Sequence, residues 1–152
     1  MKHHHRNPRA RGGRRKSAPR RDPLIGFEAT TTIREIGARG DGIASITGPD
    51  GSSIIAYVDC VLPGDDVRVA LRQKRGDGYG AELVELIARS APASAPRCSH
   101  YESCGGCALQ HLDDDSYRNW KRQKALTAVQ RAGLDPDEAE ELVGDVEISP
   151  PA

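Results

Sequence analysis

The run Gly40-Asp41-Gly42-Ile43-Ala44-Ser45-Ile46-Thr47-Gly48-Pro49-Asp50-Gly51-Ser52-Ser53-Ile54-Ile55-Ala56-Tyr57-Val58 decides how this chain folds. Two short apolar runs, Ile43–Ile46 and Ser53–Val58, flank a Gly-Pro-Asp-Gly turn. The same texture extends in both directions. Upstream, Gly26–Ile36 is rich in threonine and β-branched residues and predicts a strand. Downstream, Val67–Leu71 and Tyr79–Ile87 predict two more, set off by Pro63-Gly64-Asp65-Asp66 and Gly76-Asp77-Gly78. Five short strands within about 65 residues predict a mainly β fold, a small five-stranded antiparallel barrel of the OB type, closed or nearly closed. Closure hides the strand edges that so short a sheet cannot otherwise cover.

The barrel is expected over residues 25–89, and the proline-marked stretch Arg89–Pro96 ends it, giving a linker at 90–97. A cysteine loop follows. From Asp113 to Ala132 the signals are helical: Asp113, Asp114 and Asp115 favour a helix N-terminus, and Gly133 stands where a helix stops. Tyr117, Trp120, Ala125, Ala128, Val129 and Ala132 form its apolar arc, interrupted by Lys121. A second helix is predicted to run to about Val143, with Asp135 as cap and Pro136 in its first turn. Residues 98–152 thus read as a cysteine loop and the helical start of a further domain.

The formal net charge of zero averages two opposite segments. Residues 1–22 carry nine Lys or Arg against the single acid Asp22, leaving thirteen basic and twenty-one acidic residues in 23–152. A basic arm rich in Pro, Gly and Ser, spanning 1–24, is expected to be disordered and open to polyanions, or else to be a solvated tail. It has no apolar core of a secretory signal, and no run of 18 apolar residues occurs anywhere, so a cytoplasmic protein without membrane spans is expected. Thiols stay reduced there, and clustered cysteines point to metal or catalysis rather than disulfides.

The clustered cysteines are Cys98, Cys104 and Cys107, spaced C-x5-C-x2-C around Gly105-Gly106. Soft thiolates at this spacing suit an iron–sulfur cluster or zinc. Spacing alone leaves the choice open, because His100 or His111 would complete a Cys3His zinc set. Cys60, at the end of a predicted strand, reads as a small buried hydrophobe. Two sets of basic residues admit an RNA-binding reading and a plainer one of solvated or paired charges. They are Arg34, Arg39, Arg68, Arg72, Lys74 and Arg75 on the barrel, and Arg118, Lys121, Arg122, Lys124 and Arg131 on the helix. No phosphate-binding or dinucleotide glycine motif is present.

Ile33-Arg-Glu-Ile-Gly37, Gly40-Asp41-Gly42-Ile43-Ala44 and Leu62-Pro63-Gly64-Asp65 together resemble a TRAM domain, the small RNA-binding barrel of several RNA-modifying enzymes. Cys98-x5-Cys104-Gly-Gly-Cys107-Ala-Leu-Gln-His111-Leu, with a basic helix after it, resembles the iron–sulfur segment of bacterial S-adenosylmethionine-dependent RNA (uracil-5-)-methyltransferases, the 23S rRNA 5-methyluridine type. The resemblance covers about residues 26–152. It implies that Cys98, Cys104 and Cys107 are three ligands of a [4Fe-4S] cluster whose fourth lies downstream. It implies that the catalytic cysteine, the general base and the S-adenosylmethionine domain also lie beyond Ala152. His111 is implied to be a structural hydrogen-bonding residue more than a ligand. The expected partner is RNA, ribosomal or transfer, and not DNA. The alternatives are a stand-alone RNA-binding module with a Cys3His zinc site, and an inactive gene remnant.

Overall fold

The computed structural model describes residues 22–91, 93–104 and 106–149. The predicted basic arm lies almost wholly outside the described residues. The elements are β1 (Glu28–Thr32), β2 (Glu35–Ile36), β3 (Gly42–Thr47), β4 (Ser53–Val58), β5 (Asp66–Arg75), β6 (Gly78–Ala88), α1 (Tyr101–Cys104), α2 (Asp114–Arg131) and α3 (Pro136–Leu142).

The fold is mainly β, as expected, with a barrel-like sheet, but two features differ from the five-stranded antiparallel prediction. Among the described residues there are six strands, in the order β1-β5-β6-β4-β3-β2, because the predicted strand Gly26–Ile36 breaks at Ile33-Arg34. Its first half pairs with β5 (Thr32 opposite Asp66) and its second with β3 (Glu35 opposite Ile43). Ile33 N–H donates to the Asp65 carbonyl, while Arg34 N–H donates to that of Ile43, so the chain changes partner within one peptide. The two margins of the sheet are therefore consecutive halves of one run.

The second difference is that β4 and β6 run parallel, with Ala56 opposite Tyr79. The chain reverses after β4 and again at the two-residue turn Gly76-Asp77, so β6 returns in the direction of β4 and meets its free side. Three register shifts between β5 and β6 coil this long ribbon.

Alternation along the strands builds the core. Ala44 and Ile46 of β3, Ile54, Ala56 and Val58 of β4, and Val67, Val69 and Leu71 of β5 face one interior with Ile33, Val61 and Tyr79. Each large aliphatic side chain fully buried there contributes about 1.5–3 kcal/mol. Gly42 is required by contact: a Cβ on it would stand 2.4 Å from Val61 Cγ2 and 2.9 Å from Ile33 Cγ2. Beside it Asp41 is buried, its Oδ2 2.6 Å from Arg75 Nη1, and that guanidinium lies 4.7 Å over the Tyr57 ring.

The helices follow the sequence closely at their ends. Asp113 caps α2, accepting from Ser116 N–H, Asp135 caps α3, and Pro136 is in the first turn. The predicted apolar arc of α2 is not its buried face. Leu126 is its one buried residue, while Ala125, Ala128 and Ala132 are exposed, because α2 rests on the sheet by only a few side chains. Trp120 Nε1 donates to the Ile36 carbonyl at 3.4 Å and Lys124 Nζ to that of Ala38 at 2.5 Å.

Candidate functional site: the cysteine loop and its groove

The cysteine loop is anchored to the sheet through Tyr101, which lies between Cys98 and Cys104 and is buried. Around it the backbone closes one turn, Tyr101 N–H donating to the Cys98 carbonyl and Cys104 N–H to that of His100. The Tyr101 hydroxyl reaches the Ala108 carbonyl at 2.8 Å and contacts His111 Nδ1. His111, also buried, places Nε2 3.0 Å from the Val61 carbonyl. A carbonyl only accepts, so Nε2 carries the proton and Nδ1 is the acceptor. Burial is the main cause holding the His111 pKa below its usual value, which keeps the ring neutral. The Tyr101 hydroxyl is pushed well up, first by burial and then by the neighbouring Cys60 thiol, so it stays a donor.

His111 thus takes the structural hydrogen-bonding role expected of it. Both of its nitrogens are engaged, Nε2 with Val61 of the barrel and Nδ1 with Tyr101 of the loop, rather than turned to the Cys3His set in which it was an alternative. Cys60 departs from its expectation. It is half-buried rather than fully buried, meets Tyr101, and has φ 62°, the one positive value at a described non-glycine residue. A second anchor is Gly40, with φ 90°, where a Cβ would sit 2.7 Å from the Ala108 Cβ.

Cys98, Cys104 and Cys107 are all exposed on this loop. Their chemistry suits a soft metal centre, and Gly106 leaves the Cys104 sulfur against bare backbone, 3.3 Å from where a Cβ would be. The geometry does not assemble one: among the described residues, no three His, Cys, Asp or Glu side chains gather closely enough to hold a metal ion.

Beside the loop, a cavity of about 930 Å³ opens between Cys107–Gln110 and the first turns of α2. Arg39, Arg97 and Lys121 line it with Tyr117 and Trp120. The two rings stand 6.0 Å apart, and the Lys121 ammonium lies 5.4 Å over Tyr117 and 5.1 Å over Trp120. Arg39 and Lys121 each belong to a basic set that admitted RNA contact, but their meeting with Arg97, Tyr117 and Trp120 was not legible, because these residues come from three separate segments. The barrel's other cations are largely committed. Arg68 pairs with Glu85 and Glu28, Arg72 with Glu82, Arg75 with Asp41 and Arg34 with Glu35, while Lys74 lies over the Tyr79 ring. On α2, Arg118 pairs with Asp115 and Arg122 with Glu140. No described helix is long and apolar enough to cross a membrane.

No protein-family model matches the chain. Curated proteins do. An uncharacterized RNA methyltransferase of Brucella suis is 44% identical over 108 residues, 71% of this chain and 24% of that protein. The 23S rRNA (uracil(1939)-C(5))-methyltransferase RlmD of Chromohalobacter salexigens is 38% identical over 134 residues, 86% of this chain and 26% of its own. RlmD of Halomonas elongata is 33% identical over 142 residues, 90% of this chain and 29% of its own. A match over 90% of the chain necessarily takes in both the sheet and the cysteine loop. The chain spans about a quarter of the length of these relatives. Its homologues are RNA methyltransferases, among them 23S rRNA uracil-C5 enzymes.

Proposed function

We propose that this chain is the N-terminal, RNA-holding portion of an S-adenosylmethionine-dependent methyltransferase that forms 5-methyluridine in ribosomal RNA. The observation that supports it is a single match to a 23S rRNA uracil-C5 enzyme running through both the barrel-like sheet and the cysteine loop. In this reading residues 25–89 form a TRAM-like module, 90–97 a linker, and 98–152 the start of a central domain. The protein acts in the cytoplasm. Cys98, Cys104 and Cys107 supply three ligands to a structural [4Fe-4S] cluster, whose part is to tie the barrel to the central domain. The chain's own residues hold the loop on the sheet through Tyr101 and His111 and leave the three thiols outward. Affinity for RNA comes mostly from phosphate contacts and falls with salt.

Anaerobic purification with iron, acid-labile sulfide and zinc analysis tests the metal assignment. Iron and sulfide, lost together when Cys104→Ser and Cys107→Ser are combined, are expected. One equivalent of zinc without iron overturns the cluster.

A further inference from the structure

We propose that the groove between the cysteine loop and α2 seats a single-stranded RNA segment. Its phosphates lie on Arg39, Arg97 and Lys121, and a base lies against Tyr117 and Trp120. The inference rests on the RNA reading above and places the contact away from the strand face of the barrel.

Charge commitment is the first argument. The barrel arginines that would serve a strand face mostly hold carboxylates, with Arg72 2.5 Å from Glu82 and Arg68 2.8 Å from Glu85. Arg39, Arg97 and Lys121 are exposed and pair with no carboxylate among the described residues. One carboxylate, Asp114, shares the groove, so cations outnumber it there.

Aromatic placement is the second argument. Proteins that hold single strands combine a cationic track with aromatic faces on which successive bases stack. Here the cation and the rings meet at one point, because the Lys121 ammonium stands over both. The volume falls within the roughly 300–1,000 Å³ of small-ligand sites, enough for a base with its sugar and phosphate.

Trp120 is the only tryptophan of the chain, so its emission reports this groove and not the basic arm. Oligouridine would be titrated into the full chain, with Trp120 quenching and the anisotropy of a labelled oligomer read in parallel. Saturable quenching at the concentrations that raise anisotropy is expected. In the variant Arg39→Ala/Arg97→Ala/Lys121→Ala, quenching should need about ten-fold more RNA, and the salt slope should fall by about 2, near 0.7 per lost phosphate contact. Arg68→Ala/Arg72→Ala should leave both unchanged. Binding with no change in Trp120 emission, or quenching that survives the triple substitution, overturns the groove and leaves the RNA reading standing. No binding by either readout removes the RNA reading, and the groove with it.

Discussion

Replacing Tyr101 by Phe should loosen the cysteine loop from the sheet while leaving its shape. The ring is 5% exposed and would stay where it is. What goes is one hydroxyl whose single proton goes to His111 Nδ1, its oxygen lying beside the Ala108 carbonyl and Cys60. His111 Nε2 is already committed to Val61, so Nδ1 would be left as a buried acceptor with no donor. Stranding one such group costs about 1–3 kcal/mol. With a urea slope near 2 kcal/mol per molar, a 2 kcal/mol loss lowers the unfolding midpoint by about 1 M. Trp120 emission follows unfolding, because that indole is tied to Ile36. In a His111→Phe background the same substitution should cost less, since the acceptor has gone; the difference is the coupling between the two residues. A loss below about 0.5 kcal/mol, or equal losses in both backgrounds, would refute the hydrogen-bond reasoning.

Three further outcomes are expected. Asp65→Ala removes the acceptor of Leu62 N–H at 2.9 Å and Ser90 N–H at 3.1 Å, so it should destabilise by about 3 kcal/mol in a denaturant titration, and Asp65→Asn by less. Gly42→Ala drives a methyl into Val61 and Ile33 and should cost about 1–3 kcal/mol, read as a lowered melting temperature with unchanged strand content by circular dichroism. The depressed pKa of His111 means that the unfolded chain takes up a proton more readily than the folded one. Its stabilisation is therefore complete above the unfolded value of 6.5 and is lost as pH falls through the lower folded value. Urea midpoints measured from pH 7.5 downward should start to decline near 6.5, well before the window of the carboxylates held down by hydrogen bonds, Asp22, Asp50, Asp77 and Asp113, which opens at 3.8. In His111→Phe the upper part of that decline should vanish.

Strands β3 to β6 were legible because each holds a short apolar run set off from the next by Gly, Pro or Asp turns. The caps Asp113 and Asp135 were legible because capping is a local matter of one side chain and the next few N–H groups. The break at Ile33-Arg34 was not, since Thr30-Thr31-Thr32-Ile33 reads as unbroken β propensity and only pairing with two remote strands divides it. Nor was the left-handed Cys60, a conformation usually given to glycine or asparagine. Of the site, the three cysteines were visible from spacing, and the structure shows that all three are exposed. Tyr101 and Arg97 were passed over because their roles depend on segments far away in the chain, Val61 and Arg39 among them.

The divided run Glu28–Ile36 also governs when the sheet can form. Its first half leaves the ribosome early, yet its partners Asp66–Ala70 follow some forty residues later, Glu28 waiting for Ala70. Translation at about 5–20 residues per second keeps that threonine-rich ribbon single for seconds, during which β3 and β4 can already meet as a hairpin. Pairing of β1 with β5 closes that margin as a late, long-range clasp, whereas β2 finds β3 a few residues away. Substitutions at Thr30–Thr32 should therefore mainly speed unfolding, while equal losses placed in the β3–β4 hairpin should mainly slow refolding.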